Sequence, residues 1–251
     1  MPEATPPLIS VIIATYNASS LLQGCLDSVA SQSASLAETL VIDGGSSDGT
    51  VDIIRSNSER IAHWESAPDR GIADAWNKGL RRIRGRWVLF LGADDRLASP
   101  HVFEQFRATL EASTQALVVY GTVRLSGGPW DGTMLGEPWR WSKFRLRMTI
   151  PHQGAFHAAR LFAEFGPFDQ TIRMVSDYEM LLRPGRRLAP VFKNTVVCVM
   201  GGDGISIRSP ALTFEESRDA QLRHRVAPRL MIRLFHWYRV VRSMLHGRRG
   251  A

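Results

Sequence analysis

Two adjacent carboxylates, Asp94 and Asp95, close the run Arg86-Trp-Val-Leu-Phe-Leu-Gly-Ala-Asp-Asp95. Like charges side by side at the end of an apolar strand repel, and a divalent cation removes the repulsion. Oxygen ligands suit Mg²⁺ or Mn²⁺, ions that commonly also hold substrate phosphates. The other reading is a solvated turn that caps the next helix. A further carboxylate, Asp43, ends the apolar stretch 39–43 and opens Asp-Gly-Gly-Ser-Ser-Asp-Gly-Thr50. A carboxylate at a buried strand end is costly without a donor, and the imino N–H of a nucleobase is one. The Gly-rich turn is neither G-x-G-x-x-G nor a Gly-Lys-Ser/Thr phosphate loop, and within it Asp48 reads as the cap of a helix over about 49–57. Asp177, in Ser176-Asp-Tyr-Glu179, stands where a helix begins, and capping is its plainest role.

The elements that must position these residues alternate. Residues 8–14 are a continuous β-branched run, expected of a strand buried on both faces. Helical periodicity follows over 18–31, a strand at 39–43, a helix to about 57, a short strand at 61–65, a helix near 71–84 and a buried strand at 86–91. Such alternation predicts a parallel α/β sheet, whose ligands bind at the carboxyl ends of the strands. Thr15, Asn17, Asp43, Asp94 and Asp95 all fall there. The second half is less regular: a helix at 99–112, a strand at 116–125, a loop or hairpin over 127–141, a strand at 152–158, a helix at 174–183 and a strand at 188–199. Gly201-Gly-Asp-Gly-Ile-Ser206 then reads as a closing lid or a plain turn.

With 251 residues, 44% hydrophobic and 22% charged, wholesale disorder is excluded. The longest apolar runs, such as Leu117–Tyr120, fall far short of the ~20 residues a membrane-spanning helix needs. The N-terminus has no basic segment followed by an apolar one, so no secretory signal is expected. Cys25 and Cys198, far apart in the chain, form neither a disulfide framework nor a zinc pattern, which points to a cytoplasmic protein. The net charge of +7 is concentrated in residues 206–251, where ten arginines face Glu215, Glu216 and Asp219. On a helical wheel Leu230, Leu234, Trp237, Val241 and Leu245 share one face, and Arg229, Arg233, His236, Arg239 and Arg242 mostly take the other. Residues 229–245 therefore read either as an interfacial helix on an anionic membrane surface or as a helix packing its apolar face on the domain. No nucleic-acid partner is expected, because the charge sits in a tail rather than across a recognition module.

Ser10-Val-Ile-Ile-Ala-Thr-Tyr-Asn17, Val41-Ile-Asp-Gly-Gly-Ser-Ser-Asp-Gly-Thr50, Asp69-Arg-Gly-Ile-Ala-Asp-Ala-Trp-Asn-Lys-Gly79 and Phe90-Leu-Gly-Ala-Asp-Asp95 closely resemble the family 2 glycosyltransferases in order and spacing. His152-Gln-Gly, Phe165-Gly-Pro-Phe-Asp169 and Ser176-Asp-Tyr-Glu179 continue the resemblance, which covers about residues 8–205. It implies a glycosyltransferase-A fold: a Rossmann-like, mostly parallel sheet flanked by helices, here followed by a C-terminal amphipathic helical tail. It also implies an inverting, metal-dependent transfer from a nucleoside diphosphate sugar, uridine-linked, to a glycan or lipid-linked acceptor. By the same resemblance Thr15, Tyr16 and Asn17 lie beside the nucleoside, Asp43 accepts from the base, Asp69 and Arg70 close over the nucleotide, Asp94 faces the ribose, Asp95 binds Mn²⁺ or Mg²⁺, and Asp177 is the general base. The family's D-x-D signature appears here as adjacent Asp94-Asp95.

The chemistry is coherent in its own terms. The departing diphosphate gathers charge that a metal stabilises, and the acceptor hydroxyl needs a carboxylate base, worth roughly 10²–10⁴-fold. His152, Trp141 and Lys78 are further candidates for acceptor or diphosphate contacts. Two of these also have a structural reading, His152 as a satisfied core histidine and Trp141, with Trp139, as a core aromatic. The expected division is a catalytic domain over 1–205, with a donor half (8–95) and an acceptor half (96–205), then a basic helical extension over 206–251. A non-catalytic nucleotide-sugar-binding or scaffold protein is the alternative to an enzyme, and a nucleic-acid binder acting through the tail ranks behind both.

Overall fold

The computed structural model describes residues 6–201 and 209–247. The proposed lid over 201–206 lies, beyond Gly201, outside the described residues. In chain order the first half runs β1 (Ile9–Thr15), α1 (Leu22–Ala30), β2 (Ala37–Asp43), α2 (Thr50–Ser56), β3 (His63–Ser66), α3 (Ile72–Leu80) and β4 (Trp87–Gly92). β1 is buried along its whole length because both of its faces are covered. Ile9, Val11 and Ile13 pack with Leu22, Cys25, Leu26 and Val29 of α1, whereas Ile12 and Ala14 pack with Ala73 and Trp76 of α3. The alternating direction of side chains along a strand thus serves two cores at once.

The second half holds β5 (Arg96–Leu97), α4 (Val102–Ala112), β6 (Val118–Ser126), β7 (Met134–Leu135), α5 (Trp141–Phe144), β8 (Ala155–Ala158), α6 (Ala159–Phe165), α7 (Ser176–Leu182), β9 (Val191–Gly201), α8 (Pro210–Arg223) and α9 (Arg229–Gly247). One nine-stranded sheet runs β3-β2-β1-β4-β8-β6-β9-β5, with β7 paired to β6. β3, β2, β1 and β4 are parallel, as the alternation predicts. From β8 the sheet is mixed, so "mostly parallel" describes its first half. β8 lies antiparallel to β4 and β6, and two-residue β5 turns back against β9.

Two expectations change with the fold. The boundary at 205/206 marks a change of charge and not of packing. Glu216 of α8 accepts the amides of Arg173, Met174 and Val175 at 3.0, 2.7 and 3.3 Å, and Ala220, Val226 and Ile232 belong to the same core as Tyr178 and Phe144. The tail helix also does not lay its apolar stripe on the domain. Leu230 (69% exposed), Leu234, Trp237 (67%) and Leu245 face outward, while Ile232 is buried and His236 Nδ1 lies 3.2 Å from the Phe214 carbonyl. Among the described residues no helix is long and apolar enough to cross a membrane.

Candidate active site

The register of the parallel strands sets the site. Thr15 lies opposite Asp43 and Ala14 opposite Gly92, so β1, β2 and β4 end together and present Thr15, Asp43 and the Asp94-Asp95 pair along one edge.

Asp43 is fully buried, yet its own loop satisfies it. Its Oδ2 accepts from the Gly45 and Ser46 amides (3.1 and 2.9 Å) and the Ser66 hydroxyl (2.5 Å), and its Oδ1 accepts from the Ser46 hydroxyl. The donor that burial demands therefore comes from the chain, and the need for a base N–H to offset that burial falls away. The same loop clamps its neighbour. Asn17, held at φ 45°, donates its amide to Ser46 Oγ (2.7 Å) and accepts from the Ser47 amide (3.0 Å). Asp48 sits one residue before the helix cap, which is Gly49. It accepts from the Thr50 hydroxyl and amide and from the Ser19 amide. The Thr50 hydroxyl, then the Ser19 amide, hold its carboxyl far below the usual range.

The β4 end is built in the opposite way. Asp95 is 1% exposed, and its Oδ2 accepts from the Gly92 amide at 2.6 Å, but its Oδ1 is buried with no partner. Burial, then the charge of Asp94, push its pKa up to about 8. Asp94 is exposed and lies against Gly201, where an added Cβ would come within 2.7 Å of Asp94 Oδ2. The Thr15 hydroxyl is likewise buried without a partner. Cys25 and Cys198, separated in sequence, prove to be neighbours beneath this site. Burial first and then the Asp95 charge raise both thiols, and Cys25 further raises Cys198.

The β3–α3 loop forms the rim. An added Cβ on Gly44 would lie 2.8 Å from Asp69 Oδ2 and 3.2 Å from Tyr16 Cδ2, so these three segments meet closely here. Asp69 Oδ1 accepts the Gly71 amide at 2.9 Å, and the exposed Arg70 side chain lies 3.8 Å from Asp74. Lys78 donates to the carbonyls of Ala67 and Pro68 at 3.4 and 3.2 Å, so it shapes this loop. His152, expected near acceptor or diphosphate, is instead buried in an aromatic box. It stacks on Phe90 (centroids 5.0 Å apart) beside Trp76 and His157, both ring nitrogens lack partners, and burial foremost keeps it neutral. Trp141 packs with Trp139 and Phe144. Trp141 has the aromatic neighbours of its structural alternative, whereas His152 is a core histidine whose ring nitrogens are not satisfied.

Asp177 occupies the first turn of α7, where its Oδ1 accepts the Tyr178 amide at 2.8 Å. Burial raises its pKa to about 6, against the pull of the Tyr178 and Asp177 amides. It lines a cavity of about 800 Å³ that also takes in Arg147, Phe214, Phe235, Tyr238 and Arg239. The sequence marked Asp177 but not these partners; Arg239 lay in the helical pattern, but no pattern says which face of α9 meets the body, and nothing singled out Arg147.

A divalent cation fits the strand-end cluster. The unpartnered Asp95 Oδ1 and the exposed Asp94 carboxylate offer two oxygen ligands of the right chemistry. Among the described residues no group of three or more His, Cys, Asp or Glu comes together as a metal cage.

The family model described as "Glycosyl transferase family 2" matches residues 10–163. The chain is 33% identical over 184 residues to the PGL/p-HBAD biosynthesis glycosyltransferase of Mycobacterium bovis (strain BCG / Pasteur 1173P2), covering 70% of this chain and 69% of that protein. Its structure is similar to that of S. aureus TarS 1-349 in complex with UDP, with TM-score 0.66, 15% identity, and coverage of 91% of this chain and 69% of that one. It is also similar to glucosyl-3-phosphoglycerate synthase from Mycobacterium tuberculosis in complex with Mn²⁺, UDP and glucosyl-3-phosphoglycerate, with TM-score 0.60, 18% identity, and coverage of 86% and 81%. These likenesses establish the glycosyltransferase-A fold.

Proposed function

The chain belongs to glycosyl transferase family 2, and from that premise we propose that it transfers a sugar from a uridine-linked nucleoside diphosphate sugar to a hydroxyl of a glycan or lipid-linked acceptor by a single inverting displacement. The observation that carries this reading is the pair of buried, unpartnered oxygens, Thr15 Oγ1 and Asp95 Oδ1, at adjoining strand ends. Buried polar atoms without partners are rare, and a bound ligand supplies what these lack. The structures holding UDP and Mn²⁺ support the same choice of donor and ion.

In this reading Thr15, Tyr16, Asn17 and Asp43 form the nucleoside side, and Asp69 and Arg70 close its rim. Asp94 faces the ribose, and Asp95, with Asp94 beside it, holds the ion. When bound, the ion stabilises the charge that develops on the leaving diphosphate. Asp177 takes the acceptor's proton as its oxygen forms a bond to the anomeric carbon, and the bond from that carbon to the diphosphate breaks. Residues 8–95 thus carry the donor side, and the acceptor side of 96–205 is completed by α8 and α9. The outward row Leu230, Leu234, Trp237 and Leu245, flanked by Arg229 and Arg233, rests on an anionic membrane surface, each arginine contributing about 1 kcal/mol.

Thermal unfolding with uridine, guanosine and thymidine diphosphates, each with and without Mn²⁺, tests the donor reading. Uridine diphosphate should stabilise only with the metal, by about 2.7 kcal/mol at a hundredfold excess over Kd. No shift with any of the three, together with no consumption of sugar donor, would leave a non-catalytic protein of transferase fold. Full-length protein should sediment with phosphatidylserine vesicles at low salt, and Leu234→Ser with Trp237→Ser should abolish this.

A further inference from the structure

The cavity behind Asp177 has a charge pattern that the transfer reaction alone does not require. Its far wall is α9, and the face of α9 turned toward it is cationic. The Arg239 guanidinium lies 4.0 Å over the Phe214 ring, and among the described residues no carboxylate pairs with it. Arg147 stands nearby, with its Nη2 2.8 Å from Glu137. Burial chiefly lowers the Arg239 pKa, Tyr178 opposes it, and Arg147 lowers it further. Arg239 is the partly buried cation without a carboxylate partner among the described residues, and Arg147, exposed and paired with Glu137, adds a second guanidinium to the same cavity, so an anion there meets two cations. α9 also presents Phe235 and Tyr238 to the cavity beside its arginines, and α8 adds Phe214. Tyr238 lines the cavity and is also 53% exposed, so the apolar lining continues to the surface beside the outward row of α9.

We propose that this cavity binds the acceptor and that the acceptor is an anionic amphiphile. Its phosphate lies between Arg147 and Arg239, its apolar chain leaves along Phe235 and Tyr238, and its hydroxyl faces Asp177. This rests on Asp177 being the base. Guanidinium forks match phosphate oxygens with paired hydrogen bonds, which favours phosphate over a diffuse negative charge. The outer face of α9 would then meet the membrane that holds such an acceptor while its inner face receives the headgroup.

Three probes separate the parts of the proposal, titrated calorimetrically at pH 7.5 into the full chain below micelle-forming concentration. Dodecyl phosphate carries head and chain, inorganic phosphate the head alone, and dodecyl maltoside the chain on an uncharged head. Dodecyl phosphate should bind at least tenfold tighter than either. Arg239→Gln should weaken it about tenfold or more. Arg147→Gln, on a different segment, should do the same and carries the test if Arg239→Gln lowers the melting temperature. Asp177→Asn should tighten binding several-fold by removing a nearby like charge. Leu234→Ser with Trp237→Ser should leave it unchanged. Equal affinity for inorganic phosphate removes the apolar chain, equal affinity for dodecyl maltoside removes the anion, and unaltered binding in both folded arginine variants moves the site elsewhere. A uridine diphosphate shift with Mn²⁺ but no dodecyl phosphate binding overturns this inference alone. Dodecyl phosphate binding without that shift overturns the transferase reading and leaves a lipid-phosphate site.

Discussion

At the ends of β1, β2 and β4 carboxylates outnumber cations, whereas in the cavity behind Asp177 guanidiniums outnumber carboxylates. The first region comes from contiguous motifs within the first 95 residues, pinned by parallel strand register. The second is assembled from side chains between Trp130 and Ser243 that meet only after α7, α8 and α9 have docked. One chain thus presents an acidic edge suited to a metal and its diphosphate, and a basic pocket suited to an anion. In the proposed assignment donor and acceptor recognition are separable, and substitutions in one region should leave the other's binding intact.

The largest effect that sharpens this division is expected from Asp177→Asn. The amide keeps the shape and the helix position but takes no proton, so transfer at saturating donor should fall by about 10² or more. Stabilisation by uridine diphosphate with Mn²⁺ should be unchanged. Loss of that stabilisation would place Asp177 on the donor side and break the comparison. Asp95→Asn should do the reverse, removing the metal-dependent stabilisation of about 2.7 kcal/mol at a hundredfold ligand excess while leaving dodecyl phosphate binding intact. A metal-dependent shift that survives in Asp95→Asn moves the ion to other ligands.

How much of this was legible in the sequence follows from the same division. Thr15, Asp43 and Asp95 could be placed at strand ends because apolar runs and the turns after them are local signals. The partners of Asp43 were only half visible: Ser46 is in its own loop, but Ser66 arrives on β3 through strand pairing. The antiparallel turn of β5 against β9, and the nearness of Cys25 and Cys198, depend on segments a hundred residues or more apart. The wheel over 229–245 gave two faces without saying which meets the body. That choice is made by α8, which Glu216 ties to residues 173–175 and whose Phe214 receives Arg239 and His236. The same docking explains why α8 and the start of α9 share a core with the catalytic half despite the sharp change in charge.

A smaller effect comes from pH. The folded Asp177 has a pKa of about 6, raised by burial, and only its ionised form accepts a proton. Transfer by the free enzyme should therefore fall tenfold per pH unit below about 6 and level off above it. The acid limb of kcat/KM should disappear in Asp177→Asn, leaving a low, flat profile. A limb that persists in that variant belongs to another group, and the strand-end cluster would be the place to look.

The smallest effect sets Asp43 against Asp95 within the acidic edge itself, in unliganded protein. Asp43 accepts from two amides and two hydroxyls, so Asp43→Asn turns an NH₂ group toward donors and leaves them short of acceptors. It should cost about 1–2 kcal/mol of stability. Asp95 has one partner and one unpartnered oxygen, with a folded pKa of about 8 against its ordinary 3.8. The sign follows from proton linkage: the unfolded chain gives up this proton first, so wild-type stability falls as pH rises from about 4 toward 8 and is flat beyond. Asp95→Asn removes that loss, and at pH 7.5 it should melt at the wild-type temperature or slightly above it. Denaturant titration of both variants at pH 5 and 7.5 measures the contrast. If Asp95→Asn is as destabilised as Asp43→Asn, Asp95 is an ordinary structural carboxylate and its unpartnered oxygen is not waiting for an ion.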